Sequence, residues 1–190
     1  MSFDQMMIHY SAPTLCGIKP GNLFFVKESE FSETQLLLWK EKFRVNGFSV
    51  TSEKSSEDTV FILVYNPLLL RNLLGDVFVS SYLLGKGYKT PLNTCSVIKE
   101  LVKRIMTKND FPHEVGIILG YPIQDVIEFE AKNGKDCKYC GYWKSYSDVE
   151  NAKNCMCSYK KCSCMCKEWF DQGYTIPQII CEYNKAVKAA

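Results

Sequence analysis

The residues with most chemical reach in this 190-residue chain lie between Phe111 and Tyr146. This stretch contains His113, one of two histidines, and Cys137-Lys-Tyr-Cys140, the single Cys-x-x-Cys pair of the sequence. The pair is followed by Gly141, so spacing and turn residue together are those of a zinc knuckle. A tetrahedral ion needs four donors. The tail offers Cys155, Cys157, Cys162, Cys164, Cys166 and Cys181 to complete the set.

Helical geometry limits which of these can serve. Ser147-Asp-Val-Glu150 is a capping-box sequence, so a helix is predicted to begin at Asp148. At 100° per residue, Ala152, Cys155, Tyr159, Cys162, Cys166, Trp169 and Phe170 fall on one stripe. Cys157 and Cys164 fall on the opposite face with Lys153, Lys160 and Lys167, about 10.5 Å apart along the axis and too far for one ion to bridge. The predicted metal set is therefore Cys137, Cys140 and Cys162, with Cys166 or His113 as fourth ligand. Zinc is the default for such a thiolate-rich site, and an iron–sulfur cluster would use the same residues. The competing reading is that reduced cysteines on a buried stripe simply pack as small apolar side chains.

His113 supports a second chemistry. It is expected in the first turn of a helix capped by Asp110, with Pro112 in that turn, where the helix dipole disfavours the imidazolium. A neutral imidazole could act as general base for Ser11 or Cys16 in a hydrolase or transferase, or it could serve only in packing or capping. A third reading is a protein-interaction module with Tyr142, Trp143 and Tyr146 as its contact surface.

The elements that would position these residues follow from periodicity and punctuation. A short helix over 3–10 ends at Ser11-Ala-Pro-Thr, with Ser11 capping the next segment and Pro13 in its first turn. Lys19-Pro-Gly-Asn22 reads as a turn and Leu23–Val26 as a strand. From Ser32 to Asn46, Leu36, Leu37, Trp39, Phe43 and Val45 trace a helical face closed by Asn46-Gly47. Phe48–Thr51 and Thr59–Tyr65 are strands joined by a polar loop, and the second is apolar enough to be central. After Asn66-Pro67 come helices at 68–74 and 77–84, then a longer one capped by Asn93 or Thr94. Val97, Ile98, Leu101, Val102 and Ile105 form the apolar face of that longer helix. Two short helices surround Leu119-Gly120. The whole reads as a single α+β domain over 1–190. A small mixed sheet occupies the strand-containing half, 1–66, and the half at 67–190 is mainly helical with the Cys-x-x-Cys segment.

Composition bounds the rest. The chain is 46% hydrophobic and 23% charged with net charge +2, values of an ordinary globular protein. From Lys132 onward there are ten lysines against six acids, too small an excess for a nucleic-acid-binding tail. The two short helices around Gly120 suggest a helix-turn-helix, but Gln124, Asp125, Glu128 and Glu130 are its expected outer face, and carboxylates repel phosphates. Nucleic acid is therefore not an expected partner. No run reaches the roughly 20 apolar residues of a membrane span, and the start is not a secretory signal. A cytoplasmic location follows, in which ten cysteines are thiols or metal ligands.

Several segments in order resemble one family: His9-Tyr-Ser-Ala-Pro-Thr-Leu15, Gly17-Ile-Lys19, Asn22-Leu-Phe24, Tyr65-Asn-Pro67, Phe111-Pro-His-Glu114, Leu119-Gly-Tyr-Pro122, Asp125-Val126 and Gly141-Tyr-Trp-Lys144. Together they resemble a bacterial family known as domain of unknown function number 3793. The resemblance implies no activity. It implies a cysteine where this chain has Ser11, which with His113 would suggest a thiol nucleophile and its base, and Ser11 would need stronger activation. It also implies a cysteine near Cys162, whereas Cys155, Cys157 and Cys164 exceed the family pattern. The expectation is a non-catalytic protein with a structural or regulatory thiolate metal site, and the hydrolase and interaction readings stand as its rivals.

Overall fold

The computed structural model describes residues 1–45, 47–54, 58–107 and 111–189, leaving aside the side chains at 43–45 and 189. The expected stop at Asn46, most of the polar loop after β2 and the Asp110 cap lie outside the described residues, as do the side chains of Phe43 and Val45. The chain divides into two compact units, Met1–Asn66 with Cys157–Ala190, and Pro67–Met156.

The first unit begins with helix α1, Phe3–Leu15, capped by Ser2, whose hydroxyl accepts from the Gln5 amide. This helix runs through the expected break. Pro13 removes only one donor near the helix end, and Ser11, Ala12, Thr14 and Leu15 are all buried, so packing outweighs the local penalty. Ser11 is therefore an interior helical residue and not an N-cap. The actual end is a Schellman motif: Ile18 N–H donates to Pro13 O at 3.0 Å and Gly17 N–H to Thr14 O at 3.0 Å. Gly17 has φ +72°, the left-handed conformation this motif needs.

Strand β1, Gly21–Lys27, helix α2, Glu33–Val45, and strands β2, Ser49–Lys54, and β3, Thr59–Tyr65, follow. Sheet order is β1-β3-β2 with both pairings antiparallel, so the sheet is not mixed as expected. The short connection makes β2 and β3 a hairpin, and β3 inserts between β1 and β2, whose connection carries α2. This is a split β-α-β arrangement. The central position suits β3, in which Val60–Val64 are at most 1% exposed. Leu36 and Trp39 of α2 are buried as expected, whereas Leu37 is 57% exposed.

The second unit contains α3, Pro67–Leu74, α4, Val77–Gly85, and α5, Thr94–Thr107. Asp76 caps α4 through its carboxylate, and Asn93 Oδ1 accepts from Ser96 N–H at 2.9 Å. Val97, Ile98, Leu101 and Val102 form the buried face of α5. Two short helices come next, α6, Val115–Ile118, and α7, Ile123–Ala131, then a small hairpin of β4, Tyr139–Cys140, and β5, Lys144–Ser145. Helix α8, Val149–Asp171, starts in this unit and continues into the first, where α9, Ile176–Ala189, ends the chain. Among the described residues no single helix is long and apolar enough to cross a membrane.

Candidate metal centre

Three thiols converge in the core of the first unit. Cys16, the C-cap of α1, lies 3.4 Å from Cys166, sulfur to sulfur, and Cys162 lies 3.9 Å from Cys166. All three sulfurs fall within 4.8 Å of one another. Their exposures are 6%, 0% and 0%, and they belong to the apolar cluster that includes Met7, Ala12 and Leu15. Cys162 and Cys166 are one turn apart on α8, on the same face by helical periodicity. The Schellman turn at Gly17 fixes the end of α1 and thereby where Cys16 points.

The electrostatics of the group favour one negative charge. Hydrogen bonds from the Cys16 and Cys166 thiols, joined by the Tyr183 hydroxyl, outweigh burial and bring Cys162 down to about 4. For Cys166 the Cys16 contact acts downward, but the Cys162 contact, burial and the Cys162 charge together push it up to about 12. The contacts with Cys162 and Cys166, and burial besides, raise Cys16. Burial and the Cys162 charge likewise raise Tyr183. Cys162 is thus the sulfur that ionises first, and its neighbours remain S–H and O–H donors to it.

A buried Cys16, Cys162 and Cys166 group could hold a metal ion. It takes Cys162 and Cys166 from the predicted ligand set and adds Cys16, which the sequence suggested only as a nucleophile. Burial and the raised pKa of Cys16 oppose that role, because the thiolate is the nucleophilic form. Ser11 is 0% exposed, and its hydroxyl has no hydrogen-bond partner, so no base is bonded to it.

Cys137, Cys140 and His113 belong to the second unit and are not members of the three-thiol group. Cys137 is half-buried, and Cys140 is exposed on β4. Gly141 is required by close approach: a Cβ there would press into Met156 Sδ and lie 3.1 Å from the Tyr139 ring. His113 precedes α6 and meets the Phe129 ring edge-on, with centroids 5.3 Å apart.

Tyr142 is 55% exposed, but Trp143 and Tyr146 are 6% and 4% exposed, so the three do not form one outer aromatic surface. What holds two of them inward is Asp125, expected outside and found 2% exposed. Its Oδ2 accepts from Trp143 Nε1–H at 2.8 Å. Its Oδ1 accepts from the Tyr146 and Ser147 amides, each at 2.9 Å, and from the Ser147 hydroxyl at 2.8 Å. Burial acts to raise the Asp125 carboxyl, but these donors hold it below the usual carboxylate range. Ser147 is thereby diverted from the predicted capping box, and Asp148 caps α8 by accepting from Asn151 N–H at 3.0 Å. Glu130 stays half-exposed but is engaged, accepting from Tyr82 Oη–H at 2.9 Å and pairing with Lys86. The expected acidic outer face of α7 thus loses one of its three carboxylates to the interior.

The family described as "Protein of unknown function (DUF3793)" matches residues 7–180, and the chain belongs to it. Searches of curated proteins and of solved structures return no match.

Proposed function

We propose that this chain, a member of the DUF3793 family, holds one metal ion between Cys16, Cys162 and Cys166, with zinc as the first choice and a structural or regulatory, non-catalytic role. The observation that carries the reading is the sulfur spacing. Tetrahedral zinc with Zn–S bonds of about 2.3 Å has ligand sulfurs roughly 3.8 Å apart. The 3.4 and 3.9 Å separations bracket that edge. An iron–sulfur cluster distributes its thiolates over several irons, so three sulfurs at the spacing of a single ion favour a mononuclear site.

The surroundings support a non-catalytic role. Catalytic zinc keeps a position open to water or substrate, whereas these sulfurs sit among apolar side chains. Tyr183, whose hydroxyl helps to lower the Cys162 pKa, is an oxygen candidate for the fourth position. A bound ion would join the end of α1 to α8 across 150 residues of sequence and so tie the tail to the N-terminal half. A thiolate site needs its cysteines reduced, and a reducing compartment, the cytoplasm in this reading, would keep them so.

Elemental analysis of protein purified without added metal tests the proposal. About one zinc per chain is expected, lost in Cys16→Ala, Cys162→Ala and Cys166→Ala and retained in Cys157→Ala and Cys164→Ala. Metal retained in Cys16→Ala but lost in Cys137→Ala and Cys140→Ala would transfer the site to the Cys-x-x-Cys segment. A folded, metal-free protein whose peptide maps contain a Cys16–Cys166 disulfide would replace the metal reading with a redox one.

A further inference from the structure

The second unit contains a cavity of about 830 Å³, within the range of roughly 300–1,000 Å³ typical of small-molecule sites. Its walls are aromatic: Phe111, Tyr121, Phe129 and Trp143 line it, with the exposed Tyr142 among the lining residues. These rings are held in place. Tyr121 stacks on Trp143 with centroids 5.1 Å apart and planes 22° from parallel. Trp143 is anchored through its indole N–H to Asp125, and Tyr121 Oη–H donates to Tyr142 O at 3.4 Å. Gly116 lets the Tyr121 ring approach, since a Cβ there would lie 2.9 Å from Tyr121 Cδ2.

The charged lining is one-sided. Asp125 is the only carboxylate among the lining residues, and both of its oxygens already accept hydrogen bonds. The basic groups are Lys144 and His113, and both are drawn to the same ring. Lys144 Nζ lies 5.9 Å from the Phe129 centroid, and His113 meets that ring edge-on. Lys144 Nζ donates one hydrogen bond, to Gly134 O at 2.7 Å, and an ammonium has three donors. Flat walls with the Lys144 ammonium beside them suit a planar ring system that carries an anionic group.

From this arrangement we infer that the second unit binds a small aromatic anion, its rings between Phe129 and the Tyr121–Trp143 stack and its carboxylate, sulfonate or phosphate on Lys144. The site is independent of the three-thiol group and stands whether or not that group holds metal.

The probe is 8-anilinonaphthalene-1-sulfonate, with uncharged N-phenyl-1-naphthylamine as its partner, each titrated by fluorescence against native wild-type protein. Saturable binding of about one sulfonate per chain is expected. Lys144→Met should weaken it about tenfold or more, the worth of a hydrogen bond to a charged group, and change the neutral dye less than about twofold. Leu119→Trp, which fills the cavity, should abolish binding of both dyes. If Lys144→Met does not fold, competition on the wild-type protein gives the same answer: a naphthalene sulfonate should displace the probe about tenfold better than naphthalenemethanol. Absence of saturable binding to the native protein, equal loss of both dyes in Lys144→Met, or unchanged binding in Leu119→Trp would each overturn the inference.

Discussion

Asp125→Asn is the substitution whose effect can be worked most fully from the geometry. The change is isosteric, so it removes a charge without opening a cavity. With the asparagine carbonyl toward Tyr146 and Ser147, its NH₂ faces Trp143 Nε1–H, and two donors oppose each other where a bond of 2.8 Å existed. Hydrogen bonds to charged groups contribute about 1.5–3 kcal/mol and neutral ones about 0.5–1.5, so the three surviving bonds lose roughly 1 kcal/mol each. The stranded donors add about 1–3 kcal/mol, and relief from burying a charge returns part of the total. A net loss of about 3 kcal/mol is expected at pH 7, read as a lowered urea midpoint by tryptophan fluorescence and far-UV circular dichroism. The pH dependence supplies an independent check. A carboxyl whose pKa is depressed by folding contributes stability that is fully present above its unfolded value, about 3.9, and is lost as pH falls through the folded value. The difference between wild type and Asp125→Asn should thus be flat from pH 7 to about 5 and shrink below about 4. A variant within about 0.5 kcal/mol of wild type at pH 7, or a difference unchanged down to pH 2, would refute the argument.

Three further substitutions probe other parts of the chain. Arg104→Ala should cost about 3–5 kcal/mol in chemical denaturation, because Glu114, 4% exposed, would lose the guanidinium that donates to it at 2.9 Å. Adding Glu114→Gln should recover part of that loss. Gly116→Ala should cost about 1–3 kcal/mol by overpacking against the Tyr121 ring and Val126, and it should also weaken the aromatic-sulfonate probe. Ser11→Ala removes a buried hydroxyl that has no partner, so unfolding should show no loss of stability and a gain of up to about 1 kcal/mol. A loss of more than that would require a hydrogen bond to Ser11 that the structure does not contain.

These sites differ in how far they could be read from sequence, and the reason is the range over which each signal acts. The buried stripe of α8 was legible because helical periodicity is local. Cys162 and Cys166 are fully buried on it, and Cys157 and Cys164 are exposed on the lysine face. The central position of β3 was legible for the same reason, since five consecutive apolar residues can be buried only with cover on both sheet faces. Cys16 as a partner of that stripe was not legible, because no periodicity links residues 150 apart. The nearest local clue was Gly17, which marks the end of a helix one residue after a cysteine. That clue was masked by Pro13, which read as a break and drew attention to Ser11.

The misreading of Asp125 has the same origin and changes what the central stretch can do. On a helix wheel a carboxylate belongs outside unless enough donors converge to replace its water, and the wheel holds no information about donors 18 to 22 residues away. Here four donors from the hairpin and the start of α8 converge on it. Trp143 and Tyr146 become interior residues, and the second unit acquires a lined cavity where the interaction reading placed an outer aromatic patch. The Gly-Tyr-Trp-Lys segment then divides by position. Gly141 admits Met156, Trp143 forms a wall and Lys144 supplies the charge, which leaves Tyr142 as the exposed member of the segment's two aromatic residues. One buried carboxylate thus determines whether this segment presents its rings to a protein surface or encloses a small molecule. Asp125→Asn should therefore weaken the aromatic-sulfonate probe even under conditions where the protein stays folded.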